Sequence, residues 1–204
     1  MLKKPTILIV GGGIGGLTLA LSLHAHGIPC QIYEAAKTFR PLGVGINMLP
    51  HAVRVLTKLG LEAGLMARGV EAREFSFFNR HGQFIFAEPC GRFAGYGHQH
   101  FSIHRGDLHD LLLAAVRDRL GPAAVHMGHH CIDIAQDASS VTIRFKEAHS
   151  ASGAIAIGAD GFHSVIRRKY YPDEGMQFGG INMWRGVTRR PPFLSGASVV
   201  RIGT

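Results

Sequence analysis

The chain opens on an apolar strand that runs straight into a glycine cluster: Thr6-Ile7-Leu8-Ile9-Val10, then Gly11-Gly12-Gly13-Ile14-Gly15-Gly16. Those six residues fit G-x-G-x-x-G, and Ile14, Leu17, Ala20, Leu21 and Ala25 follow at helical spacing. Few folds accommodate that order. The strand must end at a sharp turn, and the turn must open a helix whose first N–H groups have no internal acceptor. Gly11 and Gly13 lack Cβ, so the chain can turn tightly and a phosphate can approach the backbone, while Gly16 lets the helix pack close to the strand. The helix dipole adds roughly 0.3–1 kcal/mol for an anion held there. Gly27 suits a helix C-terminus, and Cys30-Gln31-Ile32-Tyr33-Glu34 reads as a second strand. Glu34 stands 18 residues after Gly16, near the spacing of about 20 at which an acid meets a ribose hydroxyl.

A glycine turn of this pattern is a weak signal by itself. Strand, turn, helix, strand and terminal acid within one unit make a dinucleotide site the stronger reading. An acid at position 34 favours an unphosphorylated ribose, as in FAD or NAD, where NADP would favour a basic residue.

Bulk properties exclude other classes. A net charge of +8 invites a nucleic-acid reading. The basic residues are scattered, however, and the densest run, Arg167-Arg168-Lys169, adjoins a second glycine turn, so no nucleic-acid partner is expected. No uncharged apolar run approaches the ~18 residues that span a membrane, so no membrane association is expected. Residues 1–6 lead directly into the first strand and leave no room for a signal peptide. Cys30, Cys90 and Cys131 are odd in number and far apart, which points to a reducing, cytoplasmic setting without a disulfide framework. Seven of the 13 histidines cluster, at 98–109 and 126–130, but form no H-E-x-x-H or similar pattern, so they read as exposed or structural and no metal is expected.

Further along, residues 35–47 read as a loop containing Arg40, Gly43 and Gly45, and Pro50 suits an early helical position before Val53, Leu56 and Leu59. Residues 71–79 and 83–88 alternate around phenylalanines and flank Arg80-His81-Gly82, which predicts a β-hairpin. A short strand at 101–103 precedes a helix with Leu108, Leu111, Leu112, Ala115 and Leu120 on one face, stopped by Gly121-Pro122. Strands are predicted at 124–127, 130–135 and 141–146, the last with Val141, Ile143 and Phe145 inward. Residues 154–157 form an apolar strand expected to be buried on both faces, and 181–188 read as another strand carrying Trp184 and Arg185.

Gly158-Ala159-Asp160-Gly161 ends the 154–157 strand and repeats the logic of the opening. Gly161 permits a turn, Asp160 can accept hydrogen bonds from a ribose or from backbone N–H groups, and Ser164 can cap a helix beginning near His163. Three features together resemble the FAD-dependent aromatic hydroxylases, the single-component flavoprotein monooxygenases that include salicylate and p-hydroxybenzoate hydroxylase. They are Gly11-x-Gly13-x-x-Gly16 with Glu34, Arg105 in the stretch S-I-H-R-G-D-L-H-D-L-L, and the Asp160-Gly161 loop in G-A-D-G-F-H-S-V-I-R. The resemblance implies that Gly11, Gly13, Ile14, Gly15, Gly16 and Glu34 hold the ADP half of FAD, and that Arg105 lies beside its phosphates. It implies that Asp160 and Gly161 serve FAD and the passing nicotinamide. More loosely, Arg40 and Gly43-Val44-Gly45-Ile46 resemble the segment near the flavin. Asn47 is a candidate flavin neighbour, though a helix-start role competes for it.

The expected fold is therefore α/β: a Rossmann-like FAD-binding domain with a parallel sheet, β-hairpin additions and the start of a substrate-domain sheet. Residues 1–70 and 101–178 are assigned to the FAD/NAD(P)-binding domain, and 71–100 and 179–204 to the partial substrate-domain sheet. The implied activity is hydroxylation of a small phenolic or heteroaromatic acid with NADH or NADPH and O2; the resemblance leaves a homodimer open. It supplies no catalytic residue. The family's third, G-D-A-type motif has no counterpart after Gly161, and family members run about twice this length. The sequence thus looks like an N-terminal portion that need not be active alone. A catalytically silent dinucleotide-binding module is the alternative, and a flavin-free NAD-linked oxidoreductase a third, disfavoured by Arg105 and the Asp160 loop.

Overall fold

The computed structural model describes residues 6–39, 43–188 and 198–203. In chain order the elements are β1 (Ile7–Val10), α1 (Ile14–Ala25), β2 (Cys30–Glu34), β3 (Gly45–Met48), α2 (Pro50–Lys58), α3 (Glu62–Arg68), β4 (Val70–Glu71), β5 (Glu74–Asn79) and β6 (Phe84–Pro89). Then come β7 (Phe101–His104), α4 (Arg105–Leu120), β8 (Val125–Met127), β9 (Cys131–Gln136), β10 (Val141–Phe145), β11 (Ser150–Gly153), β12 (Ile155–Gly158), α5 (Val165–Tyr170) and β13 (Ser198–Ile202). They fall into two compact units, 1–40 with 112–183 and 41–111 with 184–204.

The first unit is built on a parallel sheet in the order β12-β1-β2-β8. β1 is apolar throughout because it pairs on both sides, with β2 and with β12. Helix α1 returns the chain between β1 and β2, burying Gly16, Leu17, Ala20 and Leu21. It closes as expected at Gly27, which adopts φ 66°, while the Gly27 and Ile28 amides bond back to the His24 and Leu23 carbonyls. A second, antiparallel sheet, β11-β10-β9, buries Val141, Ile143 and Phe145 in a core shared with Leu8, Val10, Tyr33 and Ile134.

The second unit contains two three-stranded sheets, β3-β7-β4 and β13-β5-β6. The hairpin β5–β6 forms as predicted, with Gly82 at φ 82° in its turn. Pro50 opens α2 at its first turn.

Three expectations are corrected. The 35–47 loop ends in a strand, because 45–48 pairs antiparallel with β7; Asn47 lies in that strand, accepting from Ser102 Oγ at 2.9 Å, and does not start α2. β12 is not buried on both faces: it pairs only with β1 among the described strands, and Ile155 is 53% exposed. Residues 181–188 form no strand. Polar and glycine residues interrupt their apolar pattern, no described strand pairs with them, and the edge of β5 is taken by β13. Trp184 is 97% exposed, so neither strand packing nor a cavity holds it.

Candidate functional site

In the first unit the two glycine turns abut. The Gly11 amide bonds the Tyr33 carbonyl at 2.8 Å, and the Ala159 amide bonds the Val10 carbonyl at 2.7 Å. The chain passes so close that a Cβ on Gly11, which has φ 106°, would lie 2.3 Å from Ala159 O. A Cβ on Gly16 would lie 2.0 Å from Gly11 O. These two glycines are therefore needed for backbone packing itself. Gly13 is different, since nothing lies within 4 Å of where its Cβ would be. It caps α1 with no side-chain bond, and the first intrahelical bond comes from Leu17 N, so the amides of Ile14, Gly15 and Gly16 are left over.

Glu34 ends β2 beside this turn. Its Oε2 accepts from Gly12 N at 2.7 Å and its Oε1 from Ala36 N at 2.8 Å. The acid thus also braces the turn. Asp160 uses both oxygens on the start of α5: Oδ1 accepts from Ser164 Oγ at 2.7 Å and Oδ2 from Val165 N at 2.8 Å. Ser164 Oγ in turn accepts from Arg167 N at 2.9 Å, the cap expected of it. Gly161, at φ 77°, makes the turn.

Gly11, Gly13, Glu34, Asp160 and Gly161 line one cleft of about 320 Å³. Tyr33, His129, His130 and Cys131, missed in the sequence, line it too. Only the parallel pairing of β8 with β2 brings 129–131 beside Glu34, so no local pattern marks them. Burial pushes the Tyr33 and Cys131 acids up, and nearby Asp160 adds to the shift of Cys131. Burial and neighbouring His129 push His126 down.

Arg40 lies outside the described residues. Arg105 belongs to the second unit, at the first turn of α4, with its amide on the Val44 carbonyl at 2.9 Å. A Cβ on Gly43 would meet the Arg105 side chain at 3.1 Å. His104 ties the two together: its Nδ1 accepts from Gly106 N at 3.2 Å and its Nε2 donates to Gly43 O at 3.1 Å. A second cavity of about 780 Å³ lies in this unit, lined by Phe75 and Tyr96, with Arg54, His51, His98 and His100 adding polar groups. Buried His100 packs edge-on to Phe75, and burial pushes its pKa down. The sequence marked this place only as a loop rich in glycine and histidine.

An open Gly13, three leftover amides and an acid at the neighbouring strand end suit a diphosphate-linked nucleotide. Fold and cradle therefore define a dinucleotide-binding α/β unit. The FAD binding domain family matches residues 4–192, and the chain belongs to it. It is 40% identical over 202 residues to phenazine 1,6-dicarboxylic acid hydroxylase PhzS of Lysobacter antibioticus, covering 95% of this chain and 50% of that protein. It is 34% identical over 190 residues to 3-amino-4-hydroxybenzoate 2-monooxygenase PtmB3 of Streptomyces platensis, covering 91% of this chain and 46% of that one. The structure of Klebsiella pneumoniae HpxO with FAD and uric acid matches at TM-score 0.71 and 28% identity, covering 81% of this chain and 41% of that one. The chain spans about half the length of the curated relatives it matches. No helix among the described residues is long and apolar enough to cross a membrane.

Proposed function

We propose that this chain holds FAD for an NAD(P)H-dependent monooxygenase that places one atom of O2 on a small aromatic acid. The observation that carries the reading is the abutment of the two glycine turns, with Gly13 lining the cleft at the start of α1, whose first amides have no intrahelical partner. When bound, FAD supplies the redox and oxygen chemistry. The amides of Ile14, Gly15 and Gly16 are the residues that would take its diphosphate, with Glu34 for the ribose. Asp160 and Gly161 would border the cofactor and the nicotinamide, Arg105 the phosphates, and Arg40 with the 43–46 segment the ring. In this reading 1–70 and 101–178 form the cofactor domain, and 71–100 with 179–204 belong to a substrate-covering sheet. The second-unit cavity, with aromatic walls and both the cation of Arg54 and the carboxylate of Glu88 in its lining, suits a planar polar molecule. The two relatives named above are a dicarboxylic acid hydroxylase and a hydroxybenzoate monooxygenase, which supports the same substrate class. Three buried free thiols suit a cytoplasmic setting.

The test is NADH or NADPH oxidation by the FAD-loaded chain, with and without aromatic carboxylic acids. Stimulation by one of them, with a hydroxylated product, is expected. FAD binding with no stimulated oxidation supports the silent dinucleotide-binding module instead.

A further inference from the structure

Resting on the reading of the first-unit cleft as the FAD site, we propose that His129 selects adenine there by accepting a hydrogen bond from its 6-amino group. The backbone brings this ring to the cleft. The His129 amide bonds the Glu34 carbonyl at 2.8 Å, and the Gly128 amide bonds the Ala36 carbonyl at 2.9 Å, so 128–129 runs beside the end of β2. Glu34 and His129 thus line the same cleft. Aromatic neighbours hold the ring: Phe145 meets it edge-on at 5.0 Å, His126 at 5.5 Å, and Tyr33 lies tilted at 5.7 Å.

The tautomer follows from one bond. His129 Nδ1 lies 2.9 Å from the Met127 carbonyl oxygen. A carbonyl can only accept, so Nδ1 carries the hydrogen, and in the neutral ring Nε2 is a bare acceptor. Nε2 has no hydrogen-bond partner among the described residues. A bare acceptor on a residue that lines the cleft favours a base whose edge donates. Adenine presents a 6-amino group; hypoxanthine and guanine present a 6-oxo group, which would set lone pair against lone pair. The discrimination of one such bond is about tenfold. His129 is a specificity residue toward the nucleotide and takes no part in electron or oxygen transfer.

The experiment measures ADP and inosine 5′-diphosphate binding to the full 204-residue chain and to His129→Phe by calorimetry. Phenylalanine keeps the ring packing and removes both nitrogens. The native chain is expected to prefer ADP about tenfold; His129→Phe is expected to bind the two alike, through weaker ADP binding, with its far-UV circular dichroism preserved and its melting temperature slightly lowered by loss of the bond to the Met127 carbonyl. A second variant, His129→Gln, restores an acceptor and is expected to recover part of the preference. Equal binding of the two nucleotides by the native chain, or an unchanged preference in His129→Phe, overturns the proposal while leaving the FAD reading in place. Absence of binding by ADP, inosine diphosphate and FAD alike overturns both. Loss of fold in His129→Phe leaves the native-chain comparison and His129→Gln to decide.

Discussion

Three glycines of one motif do different work, and that difference can be measured. Gly11 and Gly16 have no room for a Cβ, whereas Gly13 faces open space at an ordinary backbone conformation, φ −75°. Gly13→Val is therefore expected to fold, at a cost of about 1 kcal/mol for the lost N-cap preference, which is roughly 2–4 °C in melting temperature. It is expected to lose FAD binding by more than about a hundredfold, because the side chain fills the approach to the α1 amides. Gly16→Val is expected not to fold. A Gly13→Val protein that retains flavin after gel filtration would show that the diphosphate does not pass there. Glu34→Ala separates bracing from binding. It removes two charge-assisted bonds to backbone, each of the order of 1.5–3 kcal/mol, so a lower melting temperature is expected together with weaker FAD binding. Weakened stability with unchanged FAD affinity would reduce Glu34 to a brace. The motif residues were legible in the sequence because each obeys a local rule. The double duty of Glu34 was not, since its bond to Gly12 spans 22 residues and exists only once β1 and β2 pair.

At the scale of elements, α5 is short, and its two ends are tied by different groups. Asp160 and Ser164 hold its start, while near its end Lys169 bonds both the Asp133 carboxylate and the Ile134 carbonyl on β9. Lys169, and then Arg144, hold the Asp133 carboxyl well below the usual carboxylate range. A depressed carboxylate stabilises the folded state above its unfolded pKa, and that contribution fades as pH falls through the folded value. Thermal stability is thus expected to drop on acidification below about pH 4, less steeply in Asp133→Asn, and the difference is expected to shrink in high salt because the triad is exposed. Identical pH profiles for the two proteins would remove the triad from the account of α5. Elements with strong local signals were legible: α1 from its glycine turn and Gly27 stop, the β5–β6 hairpin from its turn, and β10 from its alternating faces. Elements defined by their partners were not. β3 is four residues in a glycine-rich stretch and exists through β7. The residues of β12 have the apolarity of a buried strand, yet β12 has one neighbour among the described strands. No described strand pairs with residues 181–188, and composition alone could not reveal that.

For the whole molecule, sequence order and spatial grouping diverge. The chain leaves the first unit near residue 40 and re-enters it within α4. This is why His129, His130 and Cys131, nearly a hundred residues after Glu34, share its cleft. The meeting of the two glycine turns was legible because each ends an apolar strand, and such strands pair in one parallel sheet. The cavity around His100 was not, since its lining comes from α2, β5, β6 and a turn with no shared motif. The most direct measurement is a calorimetric titration of the full chain with FAD and, separately, with FMN, which lacks the adenylate half. FAD is expected to bind at one site with a dissociation constant of about micromolar or below, and FMN at least about a hundredfold more weakly, because the cleft grips diphosphate and adenosine. Equal affinity for the two flavins, or no binding of FAD, would contradict the assignment of that cleft.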